Sequence, residues 1–140
     1  MVDTRAAEIT RVLPAPVEEV FRWWTDEGLL ARWMSPVGSA EVKVDLRVGG
    51  ALRVVMRGEG IEIRHWGEYV EIDPPHRLAF TWNSPYTDGA SLVTVSLLAE
   101  GDLATRVSIV HSNLPEAVAD SHAGGWGAMT ERLAGELAAA

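Results

Sequence analysis

From residue 39 to residue 112 the chain alternates apolar and polar residues with a period of two, and after Pro115 it changes to one long helical stripe. In "AEVKVDLRV", Val42, Val44 and Leu46 share one face and Glu41, Lys43 and Asp45 the other. A glycine turn at Gly49 and Gly50 leads into "ALRVVMR", where Leu52, Val54 and Met56 oppose Arg53 and Arg57. In "IEIRHWGEYVEID" the apolar parity changes, from odd at Ile61 and Ile63 to even at Trp66, Val70 and Ile72. That change predicts a bulge near His65 to Gly67 and turns Trp66, and with it Glu68, inward. A proline turn at Pro74 and Pro75 precedes "HRLAFTWN", with Leu78, Phe80 and Trp82 on one face. After "SPYTDG" come two more strands, one presenting Val93, Val95 and Leu97 and the other Val107, Ile109 and His111.

Such strands, apolar on one face, need a cover, and only one segment can supply it. On a helix of about 22 residues, roughly 33 Å long, Val118, His122, Trp126, Met129, Leu133 and Leu137 fall within one arc of roughly 100°. Gly124, Gly125 and Gly127 interrupt it, each at a cost of about 1 kcal/mol relative to alanine. Gly125 projects near the edge of the stripe, where it is expected to permit close backbone approach, whereas Gly124 and Gly127 project away. Ahead of the alternating region, residues 7–13 read as a strand ended by "PAP". A helix follows with Val17, Val20, Phe21 and Trp24 on its apolar side, leaving Trp23 off the stripe as an expected surface residue or interface anchor. A second short helix is capped by Thr25 or Asp26, carries Leu29, Leu30 and Trp33, and stops at Ser35-Pro36.

The expected architecture is α+β: a curved antiparallel sheet of six to seven strands wrapped around a long C-terminal helix, with two short helices after the first strand. A chain of 140 residues suits one domain, taken as 1–140. Where side chains from helix and sheet do not meet, a cavity remains between them.

Composition narrows the function. With 12 basic against 20 acidic residues, a net charge of −8 and no basic cluster, nucleic acid is not an expected partner. The start has no basic-then-apolar leader and no run of about 18 apolar residues occurs, so the expectation is a cytoplasmic chain with no membrane association. The absence of cysteine and the spacing of His65, His76, His111 and His122 give no metal-ligand pattern. "GEG" at Gly58 to Gly60 joins two strands and cradles no phosphate, and no serine occupies a nucleophile elbow, so no cofactor is expected.

The segments "ITRVLPAPVEEVFRWWTDEGLLARWMSP", "DLRVGGALRV", "GEYVEIDPPHRLAFTW" and "VHSNLP…HAGGW…RLAGEL" resemble, in order and over nearly the whole chain, the START-like, helix-grip SRPBCC superfamily. They most resemble its bacterial branch named after the C-terminal domain of the heat-shock chaperone ATPase activator. The resemblance implies a curved sheet around the C-terminal helix with a hydrophobic cavity between them, and it carries the glycine and proline turns, His111, His122 and Trp126. It does not carry the chaperone function, which depends much on a separate N-terminal domain with no counterpart in this sequence.

Six tryptophans exceed the two tyrosines and two phenylalanines together, which suits an aromatic-lined cavity. The candidate lining is Trp24, Trp33, Met34, Met56, Trp66, Phe80, Trp82, Trp126 and Met129, with the inward-facing Val95 and Ile109. His111, near a strand end, and His122, early in the last helix, are expected at one end of the cavity, orienting the polar head of an anionic or hydroxylated ligand. The leading expectation is a non-enzymatic binding protein for a hydrophobic small molecule. The enzyme alternative is a polyketide cyclase, aromatase or related lyase using His111, His122 or Glu68 for proton transfer. A third is an interaction module, a homodimer or a co-chaperone-like partner, contacting through Trp23.

Overall fold

The computed structural model describes residues 3–87 and 89–140, so Asp88 of the "SPYTDG" connection and Met1 and Val2 lie outside the described residues. The elements run β1 (Thr4–Leu13), α1 (Val17–Thr25), α2 (Glu27–Leu30), β2 (Ser39–Val44), β3 (Ala51–Gly58), β4 (Ile61–Asp73), β5 (Arg77–Trp82), β6 (Ser91–Ala99), β7 (Thr105–Pro115) and α3 (Glu116–Ala139). The strands form a seven-stranded sheet in the order β1-β7-β6-β5-β4-β3-β2, with every neighbouring pair antiparallel. The sheet is open and curved, and α1, α2 and α3 cover its concave face. This is the α+β helix-grip architecture that the alternation and the single long stripe require.

Four of the strands keep the alternation read from the sequence. Leu52, Val54 and Met56 are buried on β3, Leu78, Phe80 and Trp82 on β5, Val93, Val95 and Leu97 on β6, and Val107, Ile109 and His111 on β7. β2 buries Val42 but ends at Val44, so Leu46 lies in the turn, 45% exposed instead of continuing the inner face. That turn needs Gly50, where a Cβ would stand 2.0 Å from the Asp45 carbonyl oxygen.

β4 departs from the expected parity. Its pairing with β3 runs without a slip from Gly58↔Ile61 to Ala51↔Glu68, which sets His65 opposite buried Val54 and Ile63 opposite Met56. The odd residues therefore stay inward as far as Tyr69, and the register shift comes only between Tyr69 and Glu71, against β5. Trp66 and Val70 consequently point outward, 48% and 47% exposed, and Glu68 is exposed beside them. Ile72, beyond the shift, packs against the core as expected. Gly67 marks the tight place: a Cβ there would meet the Thr81 carbonyl oxygen at 1.7 Å, and the Glu68 N–H donates instead to Thr81 Oγ1 at 2.9 Å.

Trp23 is also buried, not exposed, at 3%. The turn from α1 into α2 folds the following residues back over it. The Arg32 guanidinium sits 5.5 Å from its ring centroid, its Nε1–H donates to Glu19, and its carbonyl accepts from Trp33 Nε1. The helical stripe of α1 could not register a cover supplied by another helix.

Candidate functional site

The aromatic side chains form a graded stack from the interior toward one end of α3. Trp33 meets Trp24 edge-on at 4.6 Å, Trp24 stacks on Trp126 at 6.0 Å, and Trp126 tilts against Trp82 at 5.9 Å. Beyond Trp82, the His65 ring stacks on its outer side at 4.6 Å with the planes 25° apart.

At this end helix and sheet separate around a cavity of about 180 Å³. The sheet contributes Met56, Ile63, His65 and Trp82, α3 contributes Ser121, His122, Gly125, Trp126 and Met129, and Pro36 and Tyr86 come from connections. The volume lies below the usual range for drug-sized ligands and close to that of an apolar cavity that accepts a single benzene ring. Pro36, Met56 and Ile63 also belong to an adjoining apolar groove of about 330 Å³, bounded by Val37, Gly58 and Ile61. Arg132 of α3 fixes the connection bearing Pro36 by donating to the Ser35 carbonyl at 2.6 Å and the Gly38 carbonyl at 3.2 Å.

Behind this wall, His111 is fully buried and both its ring nitrogens are engaged. Trp126 Nε1–H donates to Nδ1 at 3.0 Å, and Ser91 Oγ lies 2.7 Å from Nε2. An indole nitrogen only donates, so Nδ1 must accept and the proton sits on Nε2. Nε2–H then donates to Ser91, whose hydroxyl donates to the Trp82 carbonyl. The chain joins the two tryptophans that face each other across the cavity wall, and it is complete only with neutral histidine. Burial, together with repulsion from His122 and His65, pushes the His111 pKa down to about 3.

His122 stands 5.2 Å from His111, ring to ring, so the two histidines adjoin, but only His122 lines the cavity. Its Nδ1–H donates to the Val118 carbonyl at 2.8 Å, leaving Nε2 as an acceptor in the neutral ring. His65 is 8% exposed, and among the described residues its Nδ1 is buried without a hydrogen-bond partner. Burial lowers its pKa to about 4.

Of the residues expected to line a cavity, the structure brings together Met56, Trp82, His122, Trp126 and Met129. Trp24, Trp33, Met34, Phe80, Val95 and Ile109 lie behind them in the packed core, and His111 lies behind Trp126. Trp66 and Glu68 face outward because β4 keeps its odd residues inward past His65, so neither reaches the cavity. Glu68 is thereby removed as a cavity acid, and among the described residues no carboxylate lines the cavity. Reading the sequence missed His65 as a wall residue, along with Ile63, Pro36, Tyr86 and Ser121. The unbroken odd parity of Ile61, Ile63, His65 and Tyr69 was the signal for His65. Gly125 lines the cavity, but a Cβ there meets nothing among the described residues within 4 Å, so it is not a point of close backbone approach.

Among the described residues, no group of three or more His, Cys, Asp or Glu is placed to hold a metal ion, and no helix is long and apolar enough to cross a membrane.

The family model for activator of Hsp90 ATPase homolog 1-like protein matches residues 14–138. Among solved structures, the chain is similar to the Mll3558 protein from Rhizobium loti, at 28% identity and TM-score 0.82, covering 98% of this chain and 99% of that one. It is similar to a protein from Rhodobacter sphaeroides at 29% identity and TM-score 0.81, covering 96% of this chain and 93% of that one. It is also similar to PFC0360w, an HSP90 activator from Plasmodium falciparum, at 29% identity and TM-score 0.65, covering 79% of this chain and 74% of that one. No curated protein is significantly similar to the chain.

Proposed function

The chain belongs to the activator of Hsp90 ATPase homolog 1-like family, and from that premise we propose that it is a binding protein for a small hydrophobic molecule held between the curved sheet and α3. One observation carries this reading: α3 and the sheet stand apart at the Trp82–Trp126 wall around about 180 Å³ of mostly apolar space, although the core behind it is closely packed. Small-molecule sites have this character, apolar walls with few polar groups. Proton-transfer chemistry finds less support. It needs an acid and a base converging on one atom, yet His111 has both nitrogens engaged within the protein and Glu68 lies on the opposite face of the sheet.

Toluene, a single apolar ring, tests the reading. Titrated into protein labelled at tryptophan and methionine, it is expected to shift the Trp82 and Trp126 indole signals and the Met56 and Met129 methyl signals saturably, leaving exposed Trp66 unmoved. The absence of saturable shifts at those four residues would overturn the proposal.

The likeness to the Plasmodium HSP90 activator supports a second reading, contact with a chaperone. Acceleration of a chaperone's ATPase by the purified chain would establish it, and an unchanged rate would remove it.

A further inference from the structure

The polar groups of the cavity restrict which ring can enter. We propose that its occupant is an uncharged, single-ring aromatic molecule carrying a hydroxyl that donates a hydrogen bond, a phenol in chemical class, and not a carboxylate or phosphate. The inference rests on the cavity being a binding site and names what that site selects.

Among the described residues, no lysine or arginine lines the cavity, and the whole chain carries a net charge of −8. An anion entering there would lose its hydration without gaining a fixed cation, which is unfavourable. The cavity offers imidazoles instead. His65 comes from the sheet and His122 from the helix, and the Nδ1 of each is turned to the protein: His65 Nδ1 is enclosed, with the backbone of Val54 and Ile63 close enough to act on the ring, and His122 Nδ1–H is given to Val118. Burial keeps His65 neutral, so one of its ring nitrogens carries a lone pair, and His122 Nε2 carries another in the neutral ring. Once a ligand displaces water from this wall, a lone pair there calls for a donor, because a buried polar atom left unpaired is costly.

Size and wall chemistry define the remainder of the molecule. About 180 Å³ bounded by Trp82, Trp126, Met56 and Met129 suits one flat ring, with indole and thioether groups in its wall. Trp126 Nε1–H is committed to His111 and so is not offered to the ligand.

Three single-ring probes separate the possibilities: 4-methylphenol, toluene and benzoate, each titrated at neutral pH with tryptophan fluorescence and calorimetry. The expected result is binding of 4-methylphenol about tenfold tighter than toluene, the gain from one well-made hydrogen bond, with benzoate weaker than both. The variant His65→Phe, which keeps a ring stacked on Trp82, and the variant His122→Leu are each expected to change toluene affinity less than 4-methylphenol affinity. At least one of them is expected to lose the tenfold preference for the phenol. Toluene binding as well as or better than 4-methylphenol in the unmodified protein would overturn the phenol class while leaving the cavity a binding site. Tighter binding of benzoate would overturn it in favour of an anion site. If none of the three binds, the binding-site reading fails and this inference fails with it.

Discussion

The two halves of α3 lie against the same sheet and do different work. In the second half, Met129, Thr130, Leu133, Ala134 and Leu137 are buried, and Arg132, Glu131 and Glu136 tie the helix to the 35–38 connection, to Arg11 and to Arg32. In the first half only Ala119 and Trp126 are buried, His122 and Gly125 are half-buried, and Asp120 makes an exposed ion pair with Arg5. Gly124, Gly125 and Gly127 fall in that half, and a Cβ on any of them meets nothing among the described residues within 4 Å. Glycine here does not bring two backbones together. Of the three only Gly125 lines the cavity, where it withholds a side chain from that space, so one helix closes the core at one end and walls a cavity at the other.

The contrast is most exposed to a packing test. Leu133 is fully buried among core residues, and Leu133→Ala is expected to cost about 2–5 kcal/mol. Val118, half-buried in the first half, should cost less than about 1 kcal/mol as Val118→Ala, since the side chain leaves less enclosed space behind. Urea denaturation of both variants measures the difference. Equal losses would mean that the two halves are packed alike.

The next effect belongs to the wall between the halves. His111 has a folded pKa of about 3, below its ordinary value of 6.5, so between those values the folded chain holds fewer protons than the unfolded one. Its neutral form therefore contributes stability that is complete above about pH 6.5 and is lost as pH falls toward about 3. His65 acts in the same direction down to about 4. At pH 4 the loss through His111 should be roughly 3 kcal/mol. The variant His111→Gln keeps an acceptor for Trp126 and a donor for Ser91 but does not titrate. Its stability is expected to fall less steeply than that of the unmodified chain between pH 6.5 and 4, by about that amount. Parallel pH profiles would show that His111 is not held neutral by its surroundings.

How legible these features are in the sequence depends on whether one element decides them. Alternation on β3, β5, β6 and β7 and the stripe of Trp126, Met129, Leu133 and Leu137 are local, and the structure keeps them. The face of Trp66 is not local. "HWGEY" places one large aromatic at each parity, and the choice of Tyr69 over Trp66 is made by the register with β3 and by Gly67 pressed against Thr81. Trp23 fails for the same reason, because α2 and Arg32 supply its cover. The pairing of His111 and His122 at one end of the helix could be placed from the sequence, since strand end and helix start adjoin. Which of them faces the cavity could not, because Ser91 and Trp126, the groups that occupy His111, arrive from elements far apart in the chain.

The smallest effect tests the glycines themselves. At exposed Gly124 an added methyl enters open space while the gain in helix propensity remains, so Gly124→Ala is expected to stabilise the chain by up to about 1 kcal/mol without changing toluene binding. Gly125 has the same free Cβ position but lines the cavity. A leucine there gains propensity too, and its branches extend toward Trp82 and Met56 into space that the ligand would use. Gly125→Leu is thus expected to change stability by no more than about 1 kcal/mol, because filling an apolar void offsets any repacking, yet to weaken toluene binding at least tenfold. Gly124→Leu, on the solvent side, serves as the control and should leave binding intact. Stability and binding respond separately only if the first half of α3 is spaced for an occupant. If Gly125→Leu unfolded the chain, that half would be packed like the second, and the division of the helix would be lost.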